Sequence, residues 1–250
     1  MNTKELVAYL DDYLCIHNVP DDPNAYNGLQ VEGNPNIQRI AVAVDACQYT
    51  IEQAIEQGAE MLLVHHGLFW GQKAPLTGNS YRRIEKAIRH NLTVYSCHLP
   101  LDAHVEVGNN HVLLRQLGYE PTGQFLSIKG HLIGASAETE ISLSELVSRL
   151  QNVLEIEPFV MAKGGEKAGK VGVCTGGAGS HIRDAVESGI DTFITGEGAH
   201  HTYFDAEEFG INVIYAGHYA TETVGVRALA KHLEQRFRLE TVFISHPTGL

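Results

Sequence analysis

A chain of 250 residues, 44% of them apolar, is long enough for one large domain or two modest ones. No stretch approaches the roughly 18 apolar residues of a membrane helix, and a formal net charge of −12 argues against a nucleic-acid binder, which usually presents a basic surface. Cys15, Cys47, Cys97 and Cys174 form no C-x-x-C pair, so neither a thiolate zinc site nor a disulfide scaffold is indicated, whereas 14 histidines lean towards a His/carboxylate metal site.

MNTKELVAYLDDYL reads as an amphipathic helix over residues 3–14. Glu5, Asp11 and Asp12 interrupt its hydrophobes, unlike a signal peptide, so the chain is expected in the cytoplasm. Asn27-Gly28 marks a turn. RIAVAV over 39–44 is a buried strand, Thr50 to Gln57 a helix stopped by Gly58, and Met61 to Val64 the next strand. That strand runs into His65 and His66. Successive side chains on a strand point to opposite faces, so the two imidazoles are expected to converge only where the strand has ended and the backbone turns. Residues 81–90 form a helix with Ile84, Ala87 and Ile88 on one stripe, and 92–96 form a further strand. Ser142 and Glu145 make a capping box ahead of Leu146 and Leu150, and Lys163-Gly164-Gly165 to Gly169 is a loop. The alternation of strands and helices predicts α/β layers.

The order returns later in the chain. The segment from Arg39 to Gly67 aligns without gaps on Lys170 to Gly198, an offset of 131. Ile40 and Val42 fall on Val171 and Val173, Gly58 on Gly189, and His65-His66-Gly67 on Gly196-Glu197-Gly198. LTVYSCHLPLD from Leu92 aligns on NVIYAGHYATE from Asn212, an offset of 120, so that Tyr95 matches Tyr215, His98 matches His218 and Asp102 matches Glu222. Shared β-α-β physics explains the apolar matches but not the polar ones. An internal duplication accounts for both. It predicts two similar α/β domains, residues 1–125 and 126–250, related by a pseudo-twofold axis, with strand ends facing across a metal cleft.

If the halves pair, His65, His66, Glu197, His98 with Asp102, and His218 with Glu222 meet. Imidazole and carboxylate together suit zinc, manganese, iron or magnesium. Two metals sharing a bridging carboxylate, Asp102 or Glu222, would bring a water close to ionisation at neutral pH.

The segments YNGLQVEG (26–33), LLVHHGLFW (62–70), CHLPLDAH with GNN (97–110), TGE (195–197) and AGHYATE (216–222) occur in that order. Together they closely resemble the NGG-interacting-factor-three-like family of the short YbgI type, whose members are often catalogued as GTP cyclohydrolase I type 2 homologues. The resemblance spans nearly the whole chain. It implies two similar α/β domains, a two-metal centre in the cleft between them and a toroidal homohexamer. It carries metal ligands onto His65, His66, Asp102, His218 and Glu222, and leaves His98 and Glu197 beside the metals as proton carriers. The implied function is a dinuclear metal-dependent hydrolase acting on a nucleotide, GTP among them, or another phosphorylated small molecule. The alternative is a metal-dependent binding or scaffold protein without turnover.

Other motifs have plainer readings. GGAGSH (176–181) between strand and helix is a tight turn before it is a phosphate cradle. Arg82, Arg83, Lys86 and Arg89 make a solvated basic face. Phe69 and Trp70 read as core or interface before base-stacking groups. Asn27-Gly28 reads as turn chemistry before Asn27 and Gln30 read as groups that reach the site from the N-terminal turn, and Tyr95 and Tyr215 are core.

Overall fold

Asn2 starts the first helix, α1 (Thr3–Tyr13), by accepting the backbone N–H groups of Lys4 and Glu5 on its side chain. Leu6 and Leu10 form the helix's inward stripe and are fully buried, each contributing about 1.5–3 kcal/mol of apolar burial. The structure, a computed structural model, describes residues 1–23, 25–70 and 75–250. The chain divides into two compact units, Met1–Leu101 with Val226–His246, and Asp102–Gly225 with Pro247–Leu250.

The first unit continues with β1 (Gly28–Val31), β2 (Arg39–Asp45), α2 (Gln48–Glu56), β3 (Met61–His66), α3 (Gly78–Arg89) and β4 (Thr93–Ser96). The short helix α4 (Leu99–Asp102) then leads into the second unit. That unit holds α5 (Asn109–Gln116), β5 (Gly123–Ile128), β6 (His131–Ser142), α6 (Leu143–Leu154), β7 (Phe159–Ala162), β8 (Lys167–Val173), α7 (Ile182–Glu187), β9 (Thr192–Thr195), α8 (Thr202–Phe209) and β10 (Asn212–Tyr215). The long helix α9 (His218–Phe237) begins in the second unit and ends in the first, where β11 (Glu240–Phe243) follows it.

In the first unit the strands lie in the order β1-β4-β3-β2-β11, parallel except for β1. Ala41, Ala43, Leu62, Val64 and Val94 pack with Ile51 and Ala54 of α2 and Ala87 of α3. β2 is buried at every interior position, which is why RIAVAV is continuously apolar and does not alternate. In the second unit the order is β5-β6-β8-β9-β10-β7. Ser142 caps α6 by accepting the Glu145 N–H, and Leu146 and Leu150 are its buried stripe. Gly169 lies inside β8, not in a preceding loop.

The duplication is visible in the ladders. Ile40 pairs with Met61 and Val42 with Leu63; Val171 pairs with Thr192 and Val173 with Ile194, the same register displaced by 131. Each three-strand core, β4-β3-β2 and β10-β9-β8, carries an antiparallel strand on its outer side, β1 and β7 respectively. The third strand corrects the sequence alignment. Thr93 donates to the Glu60 carbonyl and Asn212 to the Asp191 carbonyl, so the structural offset there is 119 and not 120. A one-residue slip exchanges the faces of a strand. Accordingly Tyr95 is fully buried with its hydroxyl on Asp11, whereas Tyr215 is half-buried against Thr202.

The compact units part at Leu101/Asp102, at Gly225/Val226 and at His246/Pro247; the sequence reading places one boundary near 125. The cause is β11, which pairs with β2 through Ile40 opposite Thr241 and so returns the C-terminal segment to the first sheet.

Candidate metal centre

The first unit gathers three histidines at the carboxyl ends of its parallel strands. β3 runs through His65 and His66, so the strand does not stop before them as the sequence suggested. The rings nevertheless converge, with centroids 4.8 Å apart, because each is tethered to a different neighbour. His65 Nδ1 lies 2.9 Å from the Cys97 carbonyl oxygen, just beyond β4. His66 Nδ1 lies 2.9 Å from Asp45 Oδ1, at the end of β2. His98, two residues past β4, has Nδ1 2.8 Å from Asp21 Oδ1.

A carbonyl oxygen only accepts, so His65 Nδ1 carries the proton and its Nε2 the lone pair. The two carboxylates impose the same tautomer on neutral His66 and His98. One ligand atom from each of the three residues lies within 4.8 Å of the others. Imidazoles oriented through Nδ1 by a carboxylate or carbonyl are the usual preparation for metal binding. The donor set therefore fits a divalent cation.

Local sequence explains these tethers. Asp45 sits opposite His66 in the β2–β3 ladder, so their side chains are cross-strand neighbours. Asp21, in the segment before β1, accepts the Asn27 amide at 2.8 Å and the Leu99 N–H at 3.0 Å on its second oxygen. Asn27 also accepts the His98 N–H at 2.7 Å, so it serves the site as well as its turn. Burial raises the Asp21 pKa, but His98, Asn27 and the Asp22 N–H together outweigh it and hold the carboxyl below its usual range. Gln30 accepts the Leu68 N–H at 2.6 Å and presses on Gly67, where any Cβ would collide with it. Trp70 stands edge-on to His66 and His98, with ring centroids 5.7 and 4.8 Å away, and is about half exposed.

The second unit gathers carboxylates around one histidine. His218 opens α9, with Glu197 Oε1 2.8 Å from its Nδ1 and Glu222 Oε1 3.2 Å from its Nε2, one helical turn on. Glu222 is buried. The Glu222 hydrogen bond, against the cost of burial, and then the charges of Glu222 and Glu197 push the His218 pKa up to about 9. The pocket thus stabilises positive charge. Asp102 is also buried, and its Oδ1 accepts the Asn109 amide at 2.8 Å and the Thr175 hydroxyl at 3.3 Å. Burial first, then the charges of Asp102 and Glu222, push the Cys174 thiol well up, so it remains a neutral wall of this pocket.

The GGAGSH turn is shaped by the carboxylates. Gly176 has φ +69°, and a Cβ there would collide with Glu222 Oε1. On the repeat alignment Gly176 falls on Asp45: the first repeat places a carboxylate where the second opens room for one. The basic face of α3 is engaged within its own unit, Lys86 with Glu52 and Arg89 with Glu85.

Within the first unit the structure brings together His65, His66 and His98. Within the second it joins His218, Glu222 and Glu197, and buries Asp102 among its own donors. His98 shares the Nδ1-tethered arrangement of His65 and His66; the sequence reading sets it beside the metals as a proton carrier. Asp21 and Asp45 were missed. The signal for Asp45 was its place at a parallel strand end; Asp21 gave none, since only the loop's path carries it to His98.

A family model described as Duf34/NIF3 (NGG1p interacting factor 3) matches residues 1–249. The chain is 42% identical over 248 residues to a Deinococcus radiodurans protein named GTP cyclohydrolase 1 type 2 homolog, covering 98% of this chain and 94% of that protein. An Archaeoglobus fulgidus protein of the same name is 42% identical over 252 residues, the full length of both. Among solved structures, protein ybgI, described as of unknown function, matches with a TM-score of 0.92 at 35% identity over all of both chains. TTHA1606 from Thermus thermophilus matches with a TM-score of 0.89 at 41% identity, again over all of both.

Proposed function

The chain belongs to the Duf34/NIF3 (NGG1p interacting factor 3) family, and from that premise we propose that it is a dinuclear metal-dependent hydrolase of a nucleotide or another phosphorylated small molecule. The observation that carries the proposal is the convergence of His65, His66 and His98, each with Nδ1 tethered and Nε2 left to carry the lone pair. His65, His66, Asp102, His218 and Glu222 are the proposed ligands, with His98 alongside them. A bound divalent cation supplies Lewis acidity and lowers the pKa of a water.

The chain's own residues prepare that chemistry. Asp45 and Asp21 hold the imidazoles of His66 and His98 in the ligating tautomer. Glu197 orients His218 through Nδ1 and, being exposed, exchanges protons with solvent in a general acid–base role. Trp70 walls one side of the histidine group. GTP is the first substrate to try, on the strength of the relatives' name. The proposed setting is a cytoplasmic homohexamer; among the described residues no helix is long and apolar enough to cross a membrane.

Elemental analysis of the purified full chain tests the reading, beside His66→Ala, Asp102→Ala and Glu222→Ala. Two metals per chain, lost in the variants, with release of product from GTP or a phosphoester panel, is the expected result. Metal without turnover across the panel would favour the metal-dependent binding or scaffold protein. Absence of metal after incubation with zinc, manganese and iron would overturn both.

A further inference from the structure

We infer that Asn109 is a positioning residue for the metal centre, whose amide selects the carboxylate oxygen that Asp102 turns to a cation; this rests on the proposed reading of Asp102 as a ligand. Asn109 is fully buried at the start of α5. Its Oδ1 accepts the Gly225 backbone N–H at 2.7 Å, and its Nδ2 donates to Asp102 Oδ1 at 2.8 Å. A backbone N–H only donates, so the amide oxygen must face Gly225 and the NH2 must face Asp102. The amide therefore has one orientation. The Thr175 hydroxyl adds a second donor to the same carboxylate oxygen at 3.3 Å. Two donors on Oδ1 orient the carboxylate plane and assign Oδ2 to the cation.

Gly225 lies on α9 one turn after Glu222, so the same amide ties Asp102 to the helix that bears His218 and Glu222. The link needs glycine at 225, because a Cβ there would collide with Asn109 Oδ1. The adjacent Asn110 does something different. Its Nδ2 donates to the Ile133 carbonyl at 2.8 Å and the Asp102 carbonyl at 3.3 Å, and its Oδ1 accepts the Thr175 N–H at 2.8 Å. Asn110 holds backbone only; Asn109 holds the ligand oxygen.

The test is cobalt(II) titration of the metal-free full chain, followed by its visible absorption, for wild type, Asn109→Ala, Asn109→Ser, Gly225→Ala, Asn110→Ala and Asp102→Ala. Asn109→Ala and Asn109→Ser are expected to weaken cobalt binding roughly 10- to 100-fold and to alter the absorption band. Gly225→Ala displaces the amide without deleting it and is expected to do the same. Asn110→Ala is expected to lower the thermal midpoint while keeping the wild-type band. If Asp102→Ala loses the band and the Asn109 variants keep both band and affinity, the positioning role is overturned alone. If Asp102→Ala itself keeps the wild-type band, the ligand reading falls, and this inference with it.

Discussion

Asp45 and His66 occupy paired positions on adjacent parallel strands, and the carboxylate Oδ1 stands 2.9 Å from the imidazole Nδ1. The pairing register thus fixes, from the neighbouring strand, the tautomer of a proposed metal ligand. Asp45→Ala leaves the ring free to rotate and to protonate at either nitrogen. Metal affinity is expected to fall roughly 10- to 100-fold, read by competition with a chromophoric chelator. Asp45→Asn keeps an accepting oxygen and is expected to lose less. Equal losses would show that charge, and not orientation, is what Asp45 supplies.

Asp21 plays the same part for His98 but carries more structure. Its side chain is nearly enclosed and accepts from Asn27 and Leu99 as well. Asp21→Ala strands those donors, at about 1–3 kcal/mol for a buried group left unsatisfied. Denaturant unfolding of the metal-free chain should show that loss; an unchanged midpoint would contradict the placement of this loop.

Two glycines with similar backbone angles separate strain from collision. Gly58 has φ +70° with nothing near a Cβ, while Gly176 has φ +69° with Glu222 in the way. Gly58→Ala is expected to cost about 1 kcal/mol from the backbone alone. Gly176→Ala should cost more and also weaken metal binding by displacing Glu222. Matching behaviour of the two variants in chelator competition would count against Glu222 as a ligand.

His111 makes stability pH-dependent. Burial, and then the charges of Arg115 and His104, push its pKa down to about 4. Among the described residues, its Nδ1 is buried without a hydrogen-bond partner. The folded chain therefore keeps this imidazole neutral while the unfolded chain takes a proton below its ordinary value of about 6.5. Stability is lost as pH falls from about 6.5 to about 4, by at most about 1.4 kcal/mol per pH unit, and no further below that. Urea midpoints for wild type and His111→Met across that window should diverge, with the variant flatter.

The chain has a single tryptophan, and Trp70 stands against His66 and His98. Its emission is expected to change as zinc titrates the histidine group, and a chelator should reverse the change. His98→Ala should blunt the response. A wild-type signal indifferent to zinc would mean that the histidine group takes up no metal.

Much of this protein is written in local pattern. The apolar run 39–44, the Asn2 and Ser142 caps and the Leu6–Leu10 stripe follow from chain chemistry that acts over a few residues. So does the repeat, because two copies of one β-α-β unit must reuse one hydrophobic order, and His65, His66, His98, Asp102, His218 and Glu222 stand out as its polar exceptions. What tertiary structure alone decided is distance and face. The offset of 119 at β10 exists only as a hydrogen-bond ladder, which a sequence match on Tyr95 and Tyr215 cannot see. The ring orientations of His65, His66 and His98 depend on Cys97, Asp45 and Asp21, partners 32, 21 and 77 residues away. A tautomer is set by whichever acceptor the fold brings to Nδ1, and no local spacing encodes an acceptor that far along the chain.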